Sequence, residues 1–138
     1  MNRVLVYVML STLLLAGASL ESARSEDLKT MQTQKTKDAV IMLRSESGQW
    51  TQGKNSFVLE FTSPATQQPL DVGNVTLNTV MPMPGMAPMV AGATLSPDKT
   101  PGRYLGTISF PDRGARQVTV TWEGPAGKGS TQFSVPVR

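Results

Sequence analysis

The 138-residue sequence contains no cysteine and no histidine. These two absences exclude disulfide bonds, thiolate and imidazole metal sites, cysteine nucleophiles and the Ser-His-Asp triad. The chain does contain eight methionines, and four of these lie within the segment 81–89. A soft-ligand metal site in this chain must therefore be built from methionine thioethers.

Charge and the remaining residue types narrow the function classes further. Thirteen Lys and Arg oppose ten Asp and Glu, for a formal net charge of +3, and both signs are scattered along the chain. Nucleic-acid binding has no support, because no basic cluster is present that would neutralise a run of phosphates. No carboxylate pair has a catalytic setting, and without histidine a general base is hard to nominate. We therefore expect neither an enzyme nor a small-molecule substrate.

The N-terminal segment is typical of a secretory signal peptide. Arg3 supplies the positive charge, residues 4–18 form an apolar run, and Ala16-Gly17-Ala18 offers small residues at the −3 and −1 positions. Residues 1–18 are therefore the predicted signal peptide. A cleaved signal peptide implies that the mature chain is periplasmic or secreted. The alternative is an uncleaved membrane anchor extending to Leu20, although this run is short for a membrane helix of about 20 residues.

Polar residues dominate the segment 19–37, which we interpret as a flexible leader before a domain at 38–138. Within the domain, short runs rich in β-branched and aromatic residues alternate with turns that contain Pro, Gly and Asp. The predicted strands are 39–43, 57–61, 72–80, 90–95, 103–110, 117–122 and 131–137. About seven strands without a helical period predict an all-β fold, an antiparallel immunoglobulin-like β-sandwich, with a small barrel as the alternative.

Residues 81–89, Met-Pro-Met-Pro-Gly-Met-Ala-Pro-Met, form what we call the methionine loop. Its three prolines exclude a central strand, and Gly85 permits a turn that brings several thioethers within reach of one point. Thioethers are soft, neutral ligands that favour Cu(I) or Ag(I) over harder ions, and they bind without losing a proton. The metal hypothesis names as ligands Met81, Met83, Met86 and Met89.

The same loop also has a packing interpretation, because methionine is a flexible apolar filler. By alternation, Met81 and Met83 would then be core residues, and only Met86 and Met89 would be exposed for contact with a partner. The residues alone leave both interpretations open.

Several short motifs occur in an order that resembles a known family. They are Gly53-Lys54-Asn55-Ser56-Phe57-Val58-Leu59, Gln68-Pro69-Leu70, Met81-Pro82-Met83-Pro84-Gly85-Met86, Pro101-Gly102-Arg103-Tyr104, and Gly114 before a Val-Thr-Val strand. Over about residues 48–138, this order resembles the YtkA-like and FixH-like domains of bacterial secreted or membrane-tethered proteins. The family commonly has Gly-x-Trp after the Tyr strand, whereas this chain has Gly114-Ala115-Arg116.

The resemblance implies a β-sandwich without known enzymatic activity, often linked with copper handling in metal efflux or in the maturation of copper-containing respiratory oxidases. It places the family's methionine segment at Met81, Met83 and Met86. The implied function is capture of Cu(I) or Ag(I) and its transfer to a membrane-bound efflux or cytochrome-oxidase assembly component. The alternative is a metal-free interaction module whose Met-Pro loop docks on a membrane complex.

Overall fold

The computed structural model describes residues 28–125 and 127–138. This part of the chain contains no helix and is built from nine β-strands. Their bounds are β1 Lys29–Lys35, β2 Val40–Ser45, β3 Gly53–Thr62, β4 Asn74–Met81, β5 Met89–Gly92, β6 Thr94–Pro97, β7 Arg103–Phe110, β8 Gly114–Gly124 and β9 Gly127–Val137. The predicted signal peptide lies outside the described residues, and within them no helix is long and apolar enough to cross a membrane.

The strands form two antiparallel sheets. One has five strands in the order β1-β2-β3-β7-β6, and the other has four in the order β5-β4-β8-β9. Two sheets around a shared apolar core confirm the predicted all-β sandwich, with nine strands in place of about seven. β9 is an edge strand, a position that accommodates Pro136 because an edge residue need not donate to a ladder.

One of the two additional strands comes from a division of the run 90–95, which was predicted as a single strand. β5 ends at Gly92 and β6 begins at Thr94, and the two strands belong to different sheets. The chain crosses from one sheet to the other at Ala93. Alternation alone does not reveal this crossing, because both halves keep the composition of a strand.

Strand β1 is the second addition, and it corrects the prediction that residues 19–37 are a flexible leader. Residues 29–35 pair with β2 at the edge of the five-stranded sheet. The strand reads Lys-Thr-Met-Gln-Thr-Gln-Lys, and Met31 is its hydrophobic residue packed against the core. Polar and charged residues protect an exposed sheet edge from further pairing, so such a strand has the composition of a leader. The sandwich therefore begins before residue 38.

Alternate residues of the strands face a common core between the sheets. Trp50 is fully buried there, and its ring centroid lies 5.6 Å from that of Phe57 and 5.0 Å from that of Phe110. A bridge to Val137 connects Trp50 with β9 of the other sheet. A second aromatic group consists of Phe61, Tyr104 and Trp122. The second group includes residues of both sheets, since Phe61 and Tyr104 lie on β3 and β7 and Trp122 lies on β8, so its burial helps to hold the sheets together.

Each sheet also contains a glycine that is covered by an aromatic ring on the neighbouring strand. In the five-stranded sheet Phe57 lies opposite Gly106, and its ring occupies the space that a Cβ of residue 106 would need. In the four-stranded sheet Trp122 covers Gly129 in the same way. Neither glycine position has room for a larger residue, so these pairs help to fix the register of their ladders.

One end of the sandwich gathers the segments around the methionine loop. β4 ends at Met81 and β5 begins at Met89, so the loop connects these strands as a hairpin. Val80 pairs with Gln117, which places the beginning of β8 beside the end of β4. The β7–β8 turn, residues 111–113, therefore lies at the same end. We call this end, formed by the methionine loop and the β7–β8 turn, the methionine end.

Candidate metal centre

Met81 and Met89 are directly opposite each other in the antiparallel ladder of β4 and β5. Opposite residues of such a ladder project to the same face, with Cβ atoms about 4.5–5.5 Å apart. Leu77 and Thr79 precede Met81 on its face of β4, and both are buried between the sheets. The two thioethers therefore point between the sheets at the methionine end, where each side chain is half-buried.

Met83 and Met86 are brought together by a tight turn at the tip of the hairpin. The backbone N–H of Met86 donates to the carbonyl oxygen of Met83 over 3.0 Å. Pro84 and Gly85 occupy the two central positions, and Gly85 has a φ of 73°. This arrangement is a type II turn, in which proline fixes the first central residue and glycine supplies the positive φ. The Cα atoms of Met83 and Met86 are therefore within about 7 Å of each other.

Exposure differs along the methionine loop. Met86 has 68% of its surface exposed, whereas Met81, Met83 and Met89 are half-buried. The packing interpretation expects Met81 and Met83 in the core and Met89 exposed. None of these three belongs to the buried core, and Met89 is shielded together with Met81. The loop thus combines one solvent-facing thioether with three that solvent reaches in part.

The sulfur of Met81 packs against the backbone at the beginning of β8. A Cβ built on Gly114 would lie 2.7 Å from Met81 Sδ, and Gly114 has a φ of +138°. The backbone conformation favours glycine at this position, and an added Cβ would force the Met81 side chain to move. Gly114 therefore helps to define where the Met81 thioether lies.

The hairpin brings all four predicted ligands into one segment, while the other described methionines lie elsewhere. Met31 is on β1 and Met42 is on β2, both in the five-stranded sheet. Among residues 28–125 and 127–138, no group of three or more carboxylates is placed to hold a metal ion. The methionine loop is accordingly the candidate donor set in the described part of the chain.

Arg116 is a second unusual feature of the methionine end. The side chain has 0% exposure, and its guanidinium carbon lies 5.1 Å from the ring centroid of Phe110. Arg116 Nη2 donates to the backbone carbonyl oxygen of Asp112 over 2.8 Å, in the β7–β8 turn. Arg116 Nε and Nη1 have no hydrogen-bond partner among the described residues.

The sequence contains a signal for this buried arginine that the strand prediction did not use. Arg116 has the same parity as Val118, Val120 and Trp122, which are the inward residues of β8. The predicted strand 117–122 began too late to include it. Extending the strand by one residue would have placed a charged side chain on the core face, which is an uncommon position for arginine.

Tyr104 fastens the opposite end of the sandwich. Its hydroxyl donates to the carbonyl oxygen of Gly73 over 2.6 Å, which ties β7 to the segment that precedes β4. Burial raises the pKa of the Tyr104 hydroxyl, and the carboxylate of Asp71 raises it further. Its position near the start of β7 separates it from the methionine loop, so we assign it a structural contribution.

Comparison with protein families shows which family the chain belongs to. A family model described as YtkA-like matches residues 33–121 of the chain. The chain belongs to the YtkA-like family. The match confirms the YtkA-like resemblance drawn from the order of the short motifs. It starts inside β1, in agreement with the early beginning of the sandwich. Comparisons with curated proteins and with solved structures gave no match.

The YtkA-like match includes the complete β4–β5 hairpin and reaches well into β8. Within this YtkA-like domain, the thioethers of the hairpin and the guanidinium of Arg116 therefore belong to the same matched region. β9 and the end of β8 lie beyond the matched residues, although they complete the four-stranded sheet.

Proposed function

We propose that this YtkA-like protein captures Cu(I), or Ag(I), and transfers it to a partner. The ligands in this proposal are drawn from Met81, Met83, Met86 and Met89. The ion is cargo, which a loose site holds until ligand exchange passes it on. We further propose that the protein works in the periplasm or outside the cell, and that its partner is an efflux component or an oxidase-assembly component.

The single observation that carries the proposal is the placement of all four methionines within one hairpin. Met81 faces Met89 across the ladder, and the turn from Met83 to Met86 lies between these two residues in the same loop. Soft thioether sulfur favours soft monovalent ions, and its neutrality removes any competition with protons. The hairpin thus supplies a concentrated soft donor set in a domain that has no cysteine or histidine.

The difference in exposure along the hairpin suits capture and transfer. Met86 is open to solvent, so an incoming ion meets this thioether first. The half-buried pair of Met81 and Met89 offers a more enclosed position for the held ion. A transfer partner reaches the ion from the Met86 side, where the central residues of the turn are exposed.

Competition titration with a Cu(I) chelator tests the proposal. The mature protein is compared with a Met81→Leu/Met83→Leu/Met86→Leu variant, which keeps the apolar volume but removes three thioethers. The matched control is Met31→Leu/Met42→Leu, which removes thioethers outside the hairpin. We expect one Cu(I) per wild-type chain, unchanged binding by the control, and loss of binding by the hairpin variant. Equal, negligible binding by all three proteins would refute the proposal.

A metal-free interaction module is the second candidate function. Met86 and Val90 are 68% and 64% exposed, and both lie on the β4–β5 hairpin. Methionine is common in adaptable protein interfaces, so an exposed apolar tip supports docking as well as metal capture. The titration separates the two candidates, because docking requires the apolar shape that leucine retains, whereas Cu(I) requires the sulfur atoms.

A further inference from the structure

Arg116 is a buried charge without an anionic partner in the described part of the chain. Its side chain has 0% exposure, whereas the ion pairs of residues 28–125 and 127–138 involve other arginines. Those pairs are Arg44–Glu60, Arg103–Glu60 and Arg103–Asp98. The contacts of the Arg116 guanidinium are one backbone carbonyl and one aromatic ring, and two of its nitrogen atoms have no partner.

Such an arrangement is unfavourable for the stability of the fold. A buried ion normally requires a counter-charge and a full set of hydrogen bonds to offset its lost hydration. The bond to Asp112 fastens the β7–β8 turn, but a neutral amide side chain can also donate to a carbonyl. The ring of Phe110 offsets part of the desolvation through a cation–π contact. These two contacts offset part of the cost of burying the charge.

The position of Arg116 relates it to the methionine pair. The β4–β8 ladder pairs Val80 with Gln117, so Met81 and Arg116 occupy the next position along the two strands. Met81 belongs to the inward face of β4, and Arg116 shares the inward face of β8 with Val118. Met81 Sδ also packs at Gly114, two positions before Arg116. A fixed positive charge is therefore held in the core beside the more enclosed thioethers.

We infer that Arg116 is a specificity-determining residue of the methionine site, where its buried charge weakens the binding of every cation and disfavours divalent ions most. This inference rests on the proposed function. Electrostatic repulsion grows with the charge of the ion, so a divalent ion is opposed twice as strongly as a monovalent one. Burial limits screening by water and salt, which preserves the effect in physiological solution. The result is a site that holds Cu(I) or Ag(I) loosely enough for exchange.

The expected size of the effect follows from Coulomb's law. For charges about 10 Å apart in a medium of effective dielectric constant about 20, the repulsion changes a monovalent ion's affinity about tenfold. The same geometry changes the affinity of a divalent ion by about the square of that factor, on the order of a hundredfold. Both changes are large enough to be measured by competition titration.

The test compares neutral and charged replacements of Arg116 in the otherwise intact mature protein. Arg116→Leu and Arg116→Gln remove the charge, and the glutamine retains a donor for the Asp112 carbonyl. Arg116→Lys keeps the charge, and Arg113→Leu removes an exposed charge from the adjacent turn as the matched control. Affinities are measured for Ag(I) and for Cd(II), a soft divalent ion. Circular dichroism and a urea transition establish which variants are folded.

We expect both neutral variants to bind Ag(I) about tenfold more tightly than wild type, with a larger gain for Cd(II). Arg116→Lys and Arg113→Leu should remain near wild type. The inference is overturned if a folded neutral variant binds Ag(I) no more tightly than wild type, or if Arg116→Lys gains as much as the neutral variants. Absence of Ag(I) binding by wild type and all variants would refute the proposed function as well, so the wild-type measurement distinguishes the two failures.

Discussion

Met81 faces Met89 across the β4–β5 ladder, which makes the two outer methionines of the loop direct neighbours in space. The turn from Met83 to Met86 lies between them in sequence, closed by the hydrogen bond from the Met86 N–H to the Met83 carbonyl. A loop that is merely rich in methionine does not require this order. The hairpin produces this arrangement, because the ladder places Met81 opposite Met89 and the Pro84-Gly85 turn brings Met83 close to Met86.

Replacement of Gly114 by alanine should disturb the candidate site through Met81. The new Cβ would meet Met81 Sδ at 2.7 Å in a backbone conformation that favours glycine, so the sulfur must move. We expect the free energy of unfolding to fall by about 1–3 kcal/mol and Ag(I) binding to weaken. Urea titration and a silver competition assay measure the two effects.

Gly53→Ala is the matched control for that variant. Gly53 also has a positive φ, +99°, but no atom lies within 4 Å of the Cβ that alanine would add. It therefore reports the backbone strain alone. If Gly114→Ala binds Ag(I) as tightly as Gly53→Ala does, the contact between Met81 Sδ and Gly114 does not contribute to Ag(I) binding.

The fit of Phe57 over Gly106 predicts a strong coupling between these two positions. Gly106→Ala places a Cβ within the Phe57 ring and should lower the free energy of unfolding by about 1–3 kcal/mol. The loss should shrink when Phe57→Leu is added, because the smaller side chain frees the space. A double-mutant cycle by urea denaturation measures this coupling, and strictly additive losses would contradict it.

Tyr104→Phe should change the dependence of stability on pH. In the folded protein, burial and the nearby Asp71 raise the pKa of the Tyr104 hydroxyl above its ordinary value of 10.0. As pH rises past this ordinary value, the unfolded chain loses the proton first, and folding is progressively destabilised until the raised folded pKa is passed. At lower pH the contribution of the neutral hydroxyl is fully present.

The measurement is the free energy of unfolding of wild type and Tyr104→Phe between about pH 8 and pH 11. Near pH 8 the variant should be less stable by about 0.5–1.5 kcal/mol, the usual contribution of one hydrogen bond. The difference should narrow above about pH 10 as the wild type loses stability. A constant difference across this range would contradict the assigned environment of Tyr104.

Exposure predicts the order in which peroxide oxidises the methionine loop. Met86, at 68% exposed, should form sulfoxide before the half-buried Met81, Met83 and Met89. If these sulfurs bind Ag(I), saturation with the ion should slow oxidation in the loop and leave Met42 unaffected. Peptide mass spectrometry after timed exposure gives both results. Equal protection of Met42 would contradict a site confined to the hairpin.

Much of the sandwich could be predicted from its alternating strands. Residues 103–110 were predicted as a strand with Tyr104, Ile108 and Phe110 on one face, and β7 has these bounds and this buried face. β1 could not be recognised, because its edge position leaves Met31 as its hydrophobic contact with the core. The division at Ala93 was also hidden, since it depends on which sheet each half joins.

The candidate site was predictable in its residues but not in its geometry. The density of methionine and proline indicated the loop, and Gly85 indicated a turn within it. The pairing of Met81 with Met89 depends on the hairpin register, which the tertiary structure sets. Arg116 was missed because the predicted strand began at residue 117, and its inward parity becomes evident when β8 begins at Gly114.

The most direct test of a methionine-built site is the response of each methionine methyl group to Ag(I). In protein labelled with carbon-13 at the methionine methyls, Met81, Met83, Met86 and Met89 should shift together and reach an end point at one Ag(I) per chain. Met31 and Met42, which lie on β1 and β2, should not shift. Equal shifts at the six methyls named here, or no shift in the hairpin at saturating Ag(I), would contradict the account.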